Sequence, residues 1–176
     1  MAQNTATAAG LDAAWLTDFI ERWEAAWDSH EPDRVLELMT EDIVYNDSAW
    51  PKEMRGPADV REFLEFTWSA LPDTHFEFID GPYVHASEPR AAFYWRGTAT
   101  HQGRIDPPGL AATGKSLEFY GADFHEYRDG KVARLTIVFD MAGVMQQLGV
   151  LPANGSREER LMAKMTNLRG KLPGSG

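Results

Sequence analysis

The chain has 176 residues, with 17 lysines and arginines against 27 aspartates and glutamates, and it contains no cysteine. This length suits one domain with a real core, while the net charge of -10 argues against a broad surface for nucleic acid or anionic membranes. The lack of cysteine excludes disulfides, thiolate metal sites and a cysteine nucleophile.

The first residues and the hydropathy indicate where the protein works. Residues 1–10 are small and polar, without the basic start and apolar centre of a signal peptide, so we predict a disordered tail. No apolar run approaches the length of a membrane span. We therefore expect a cytoplasmic protein with neither a membrane nor a nucleic-acid partner. The many aromatic residues, six of them tryptophan, indicate a large apolar cavity or an interface.

Three helices are predicted in the first part of the chain. The first covers residues 11–30, where large aromatic side chains recur every four residues, a spacing typical of a buried helix face. The positions in this stripe are Trp15, Phe19, Trp23 and Trp27. A short second helix opens at Pro32, and a third covers residues 58–71. Residues 42–48 alternate like a strand between them.

After Pro72 the pattern changes from helix to strand. Glycine, proline and aspartate separate the predicted strands. These strands are residues 75–79, 83–86, 90–101, 116–128 and 131–140. Two more helices are predicted over residues 142–148 and 156–168. Helices followed by antiparallel strands favour an α+β fold, in which a curved antiparallel sheet wraps around the N-terminal helices and leaves a cone-shaped pocket.

The last two predicted strands form a hairpin around Asp129-Gly130. This dipeptide suits a two-residue turn, because both residues can adopt positive φ. Arg128 then pairs with Lys131, and the register that follows places His125 opposite Arg134.

The same register collects polar side chains on one face of the hairpin. Asp123 lies opposite Thr136, and Asp140 ends the second strand. Because side chains alternate along a strand, Asp123, His125, Thr136 and Asp140 share a face. Two carboxylates and an imidazole on one face form a candidate acid/base site.

Each of these groups also has a structural interpretation. Asp140 lies between a strand and a helix, so its carboxylate is placed to cap the helix by accepting the N–H of Ala142 or Gly143. His125 is equally consistent with an exposed strand residue paired with Arg134 or Glu126. Asp123 is consistent with a structural role in which it orients His125 or Thr136.

Further residues are candidates to bind a substrate. A buried Tyr45 hydroxyl is able to donate to a carbonyl or an enolate, although tyrosine is also an ordinary strand residue. The candidates to line the pocket are Trp50, Trp68, Trp95, Phe119 and Thr136. Core packing is the default for the aromatic members. The histidines lie on different strands and no nicotinamide or flavin fingerprint occurs, so we expect neither a metal nor a cofactor.

Several segments resemble the SnoaL-like polyketide cyclase branch of the nuclear transport factor 2-like superfamily. The resemblance covers about residues 12–152 and predicts one domain over residues 11–152, followed by a C-terminal extension with a short helix at residues 153–176. The matching segments are the Trp-rich first helix, Asp42-Ile-Val-Tyr-Asn, Gly56-Pro-Ala-Asp-Val-Arg-Glu-Phe, Trp95-Arg-Gly-Thr-Ala-Thr-His-Gln-Gly, Pro107-Pro-Gly-Leu-Ala-Ala-Thr-Gly-Lys, Arg128-Asp-Gly-Lys and Phe139-Asp-Met-Ala-Gly-Val-Met-Gln-Gln-Leu-Gly.

The resemblance implies roles for the hairpin residues. In the cyclase branch an aspartate at the end of the last long strand acts as general acid/base, helped by a histidine and a polar residue on the neighbouring strand. By position these are similar to Asp140, His125 and Asp123. The implied function is cofactor-independent proton transfer on a hydrophobic, carbonyl-bearing small molecule, either an aldol-type ring closure or a double-bond shift like that of ketosteroid isomerases.

The superfamily leaves other functions open, since a fold does not fix a reaction. Epoxide hydrolases of this fold use an Asp-Arg-Asp set, which Arg96 with Asp123 or Asp140 resembles incompletely. A dehydratase and a non-catalytic small-molecule-binding or dimerisation module are further alternatives. We also expect a homodimer through the outer face of the sheet, because both faces carry large side chains such as Tyr94, Trp95, Tyr120 and Phe139.

Overall fold

A computed structural model describes residues 11–106 and 109–169. The predicted disordered tail, residues 1–10, and residues 170–176 of the predicted C-terminal extension lie outside this range. The elements in chain order are α1 (Ala13–Asp28), α2 (Pro32–Glu37), β1 (Met39–Asp47), β2 (Met54–Arg55), α3 (Gly56–Ala70), β3 (His75–Val84), β4 (Arg90–Thr100), β5 (Ser116–Arg128), β6 (Lys131–Phe139), α4 (Met141–Leu148) and α5 (Arg157–Arg169). Among the described helices, none combines the length and apolar character needed to cross a membrane.

The strands form one curved sheet in the order β2-β1-β6-β5-β4-β3. Neighbouring strands are antiparallel, except that β1 and β6 run parallel. A parallel pair requires a crossover connection, and here the chain passes through β2, α3 and three further long strands between β1 and β6. The predicted α+β fold, a curved sheet around the N-terminal helices, is confirmed.

Helix α1 supplies the aromatic part of the core. The carboxylate of Asp12 starts the helix by accepting the backbone N–H of Trp15 at 2.8 Å. Its buried residues are Leu16, Phe19, Trp23, Ala26 and Trp27. This is the stripe that the four-residue spacing predicts, apart from Trp15, which stays partly exposed. Burying a large apolar side chain contributes about 1.5–3 kcal/mol, so this face fixes the helix against the sheet.

The two strands predicted at residues 75–79 and 83–86 are one strand, β3. Its pairing with β4 shifts register between Phe78 and Asp80 and again between Asp80 and Tyr83. The Gly81-Pro82 pair therefore distorts the strand without ending it. An edge strand tolerates proline in this way, because its outward N–H groups have no strand partner to lose.

The predicted hairpin forms with the predicted turn, but its register changes after two residue pairs. Arg128 pairs with Lys131, and Tyr127 pairs with Val132. The next pair is Glu126 with Arg134, so Ala133 is an extra residue on β6. A β-bulge of this kind moves every later residue of β6 by one position relative to β5.

The bulge corrects the predicted pairing and therefore the predicted shared face. His125 lies opposite Leu135, and Asp123 lies opposite Ile137, with all four side chains buried on the inner face. Thr136 instead lies opposite Phe124, which is 50% exposed on the outer face. The prediction that Thr136 shares the face of Asp123 and His125 is wrong for this reason.

Asp140 also departs from the predicted shared face. It follows the last residue of β6 and is exposed. Its carboxylate accepts the N–H of Gly143 at 2.9 Å and so caps α4. The predicted cluster of four polar residues thus keeps only Asp123 and His125.

Candidate active site

A cavity of about 340 Å³ lies between the inner face of the sheet and helices α1, α3 and α4. Its size falls in the range of small-molecule sites. Its wall is mostly apolar, and 11 of the 28 lining residues are aromatic. The aromatic lining residues are Trp23, Trp27, Tyr45, Trp50, Phe63, Phe66, Phe76, Phe78, Trp95, Phe119 and Phe139. Helix α4 closes one side with side chains that include Met141 and Met145.

The structure places the residues predicted to bind a substrate in three locations. Tyr45, Trp50, Trp95 and Phe119 line the cavity, together with Asp123. Trp68 is buried beside the cavity without lining it, and its ring packs edge-on against Trp27 at 6.1 Å between centroids. Thr136 contributes to a groove on the outer face of the sheet.

Asp123 lines the cavity, and each of its carboxylate oxygens contacts a neighbouring side chain. The indole Nε1 of Trp95 donates to one carboxylate oxygen at 2.6 Å. The Nε2 of His125 lies 3.3 Å from the other oxygen. All three side chains are buried, and Asp123 is only 3% exposed. Both oxygens of Asp123 therefore have a fixed orientation, and the residue lines the cavity.

His125 has no ring nitrogen left for a ligand. Its Nδ1 lies 2.9 Å from the hydroxyl of Tyr127. Burial raises the pKa of Tyr127, so this hydroxyl keeps its proton and can donate to Nδ1. The network then places the single N–H of the neutral imidazole on Nε2, facing Asp123. The rings of Trp23 and Phe93 pack edge-on against the imidazole. His125 can thus act on a substrate only through Asp123.

A second carboxylate, Asp47, belongs to the same cavity and was missed by the sequence predictions. The hydroxyl of Tyr45 donates to one of its oxygens at 2.9 Å, and the N–H of Ala49 donates to the other at 2.8 Å. Burial raises the pKa of Asp47 to about 6, and the negative charge of Asp123 acts in the same direction. Burial also raises the pKa of Tyr45 well above its usual value, so this hydroxyl stays a donor.

The register of the sheet explains why the two carboxylates meet. Asp47 is the partner of Ile137 on β6, and Ile137 is also the partner of Asp123 on β5. The three residues therefore form one row across the sheet, with about 10 Å between the outer two backbones. The alternation of β1, which buries Tyr45, is the sequence signal that places Asp47 on the inner face.

The charged groups of the cavity wall are all acidic. Glu24 is the third carboxylate, and its Oε1 accepts the N–H of Phe78 at 2.8 Å. No lysine, arginine or histidine lines the cavity within residues 11–106 and 109–169. Arg96 is half-exposed on the opposite face of β4, where it pairs with Glu77 at 3.0 Å. The Asp-Arg-Asp set of the epoxide hydrolase alternative therefore has no arginine in the cavity.

Two hydrogen-bond donors of the wall are unused. The indole nitrogens of Trp27 and Trp50 are buried, and neither finds an acceptor in the part of the chain that the structure describes. Both residues line the cavity. Because buried N–H groups are normally paired, a ligand that carries acceptor oxygens suits this wall.

The chain is similar to known proteins in sequence and in fold. The family model of the SnoaL-like polyketide cyclases matches residues 17–148. No curated protein matches the sequence. A similar solved structure is AclR from Streptomyces galilaeus, a candidate hydroxylase, with 25% identity, a TM-score of 0.69 and coverage of 89% of this chain and 95% of that chain.

Two further structures are similar in fold. IdmH from Streptomyces antibioticus, a candidate polyketide cyclase, has 20% identity and a TM-score of 0.62, with 76% of this chain and 97% of that chain covered. A protein from Catenulispora acidiphila with a ketosteroid isomerase-like fold, in complex with trimethylamine, has 16% identity and a TM-score of 0.63, with 79% and 97% covered. At these identities the likeness concerns the fold.

Proposed function

The chain belongs to the SnoaL-like polyketide cyclase family, and from that premise we propose that it is an enzyme that transfers protons on a hydrophobic, carbonyl-bearing small molecule. The product is a ring closed by an aldol-type step or a shifted double bond. The observation that carries the proposal is the pair of carboxylates, Asp47 and Asp123, that face one aromatic cavity. Proton transfer between carboxylates and substrate requires no cofactor.

Asp123 is the proposed base. A base must be held within reach of the proton it removes, and Trp95 and His125 fix this carboxylate at the cavity floor. Removal of a proton from the carbon next to a carbonyl places negative charge on the carbonyl oxygen. The mostly apolar wall of the cavity lowers the local polarity, which strengthens electrostatic contacts with that oxygen.

Asp47 is the proposed acid. A pKa of about 6 lies close to neutral pH, so Asp47 exists with and without its proton under working conditions. In its protonated form it donates to the carbonyl oxygen as charge develops there. Tyr45 and Ala49 orient the group, because each donates to one of its oxygens.

Asp123 and Asp47 alone account for every proton that moves during the ring closure. Asp123 takes the proton from the α-carbon, and Asp47 gives its proton to the carbonyl oxygen, which forms an enol. The enol carbon then attacks a second carbonyl of the same molecule, whose oxygen takes the proton from Asp123. Asp47 recovers the enol proton as the first carbonyl re-forms. For a double-bond shift, Asp123 instead returns its proton to another carbon.

The proposal is tested with a simple ketone, since the natural substrate is unidentified. We expect the protein to accelerate exchange of the hydrogens next to the carbonyl of 1-tetralone in heavy water, followed by proton NMR. Binding of the ketone without faster exchange would contradict the proposal and favour the non-catalytic binding module. An exchange rate that levels off as the ketone concentration rises would indicate that exchange occurs in a complex of the protein with the ketone.

A further inference from the structure

The charged side chains of the cavity wall disfavour a negatively charged ligand. Three carboxylates line it, from Glu24, Asp47 and Asp123, and no cationic side chain faces them within the described part of the wall. A ligand carboxylate would add a fourth negative charge beside a wall that is otherwise mostly apolar. Like charges in such surroundings repel strongly, because the medium screens them weakly.

His125 does not make the net charge of the cavity positive. It is the only described histidine hydrogen-bonded to a cavity carboxylate, and its partner is Asp123. As an imidazolium it would cancel the charge of Asp123 alone, and Asp47 and Glu24 would remain. As the neutral tautomer favoured by Tyr127 it cancels none. The cavity is therefore negative in both protonation states of His125 once Asp47 has ionised.

The aromatic wall also favours a positively charged ligand. The faces of aromatic rings carry partial negative charge, and a cation within about 6 Å of a ring centre is attracted to it, most strongly by tryptophan. Trp23, Trp27, Trp50 and Trp95 all line the cavity. Their rings also supply the apolar contact area that a ring compound needs.

We infer that this site selects a hydrophobic ring compound that carries a positively charged nitrogen, and that it rejects carboxylates. The inference rests on the proposed function and deepens it, because it names the charge class of the substrate. The carboxylates pair with the ammonium group, the tryptophan faces surround it, and the apolar wall holds the rings. The substrate carbonyl accepts from the acid side of the cavity.

The test compares three probes that share one ring system and differ in charge. They are 1-naphthylmethylammonium, 1-naphthalenemethanol and 1-naphthoate, titrated into the protein in a calorimeter at about pH 8, where Asp47 is ionised. We expect the ammonium to bind about tenfold more tightly than the alcohol, and the naphthoate about tenfold more weakly than the alcohol. An ammonium that binds no better than the alcohol, or a naphthoate that matches it, overturns the inference.

Variants of the cavity carboxylates test whether the preference for the ammonium probe arises in the cavity. Asp47→Asn removes one charge, so the ratio of the ammonium affinity to the alcohol affinity should fall severalfold. Glu24→Gln provides a second variant with the same expectation. Asp129→Asn is the matched control, because Asp129 is exposed in the hairpin turn and has a positive φ of 53° that asparagine tolerates. An advantage that persists in both cavity variants overturns the inference.

This binding test is independent of the exchange test for catalysis. Exchange on the neutral 1-tetralone depends on proton transfer by Asp123 and not on ligand charge. A protein that exchanges tetralone but binds the three probes alike would retain the proposed function and lose the charge preference. A protein that prefers the ammonium without exchanging tetralone would retain the charge preference and lose the proposed function.

Discussion

Asp47 and Asp123 lie in one row of the sheet, on opposite sides of Ile137. Both face the aromatic cavity, and the charge of Asp123 contributes to the raised pKa of Asp47. Their surroundings differ, since Asp123 contacts an indole and an imidazole while Asp47 contacts a phenol and a backbone amide. Two carboxylates in different environments are suited to different roles in proton transfer.

The raised pKa of Asp47 predicts a pH-dependent effect of Asp47→Asn on stability. The folded pKa of about 6 exceeds the usual unfolded value, so the neutral form stabilises the fold below about pH 4, and this contribution is lost as pH rises through 6. Asparagine stays neutral throughout. The variant should therefore gain up to about 3 kcal/mol relative to the parent between about pH 4 and pH 8.

Urea unfolding at both pH values measures this change in the free energy of unfolding. Asp129→Asn is again the control and should show little pH-dependent difference, because its side chain is exposed. An Asp47→Asn effect that is equal at the two pH values would show that Asp47 titrates in the folded state as it does in the unfolded chain.

Replacing Trp95 by phenylalanine tests the bond between its indole and Asp123. The change removes the 2.6 Å donor from a buried carboxylate and leaves it with His125 alone. Trp68→Phe is a matched control, because Trp68 is also buried but its indole nitrogen has no acceptor in the described part of the chain. Trp95→Phe should cost about 1–3 kcal/mol more in the free energy of unfolding than Trp68→Phe. Equal losses would mean that the indole bond contributes nothing to stability.

Asp140 is predicted to act as a helix cap. Asparagine caps about as well as aspartate, so Asp140→Asn should keep both the melting temperature and the rate of tetralone exchange. Asp140→Ala should lose about 1 kcal/mol of stability with the same rate in the folded protein. A large loss of rate in Asp140→Asn would restore the catalytic role that the family resemblance implies for this residue.

A homodimer through the outer face of the sheet remains a prediction. Large side chains on this face are exposed, among them Tyr94, Tyr120, Phe124 and Val138. Exposed apolar patches of this kind are typical of protein interfaces. Sedimentation at micromolar concentration should show a dimer, and Phe124→Lys should shift it to a monomer by placing a charge in the interface. Leu161→Lys on α5 is the control, and a purely monomeric parent protein would rule the dimer out.

The sequence predicted the parts of the fold that local patterns determine. The four-residue spacing of large side chains predicted α1, and Asp129-Gly130 predicted the turn that pairs Arg128 with Lys131. Alternation along β5 predicted that Asp123 and His125 share a face, and they do. These features depend on residues close together in the chain.

The missed features depend on contacts between distant residues. The bulge at Ala133 brings Val132, Leu135 and Ile137 to the inner face together, although the three-residue step from Val132 to Leu135 breaks the alternation of a regular strand. Burial against the helices stabilises this arrangement. Asp47 joins the site only because β1 pairs with β6, a parallel contact between segments about ninety residues apart in the chain.

The most direct test of the account is tetralone exchange by Asp123→Asn. The substitution keeps the size of the side chain but removes its ability to accept a proton. We predict a rate at least about 10²-fold below that of the parent, since general-base contributions are usually about 10²–10⁴-fold, with unchanged circular dichroism and with Asp129→Asn at the parental rate. An Asp123→Asn protein that exchanges tetralone at the parental rate would contradict the assignment of Asp123 as the base.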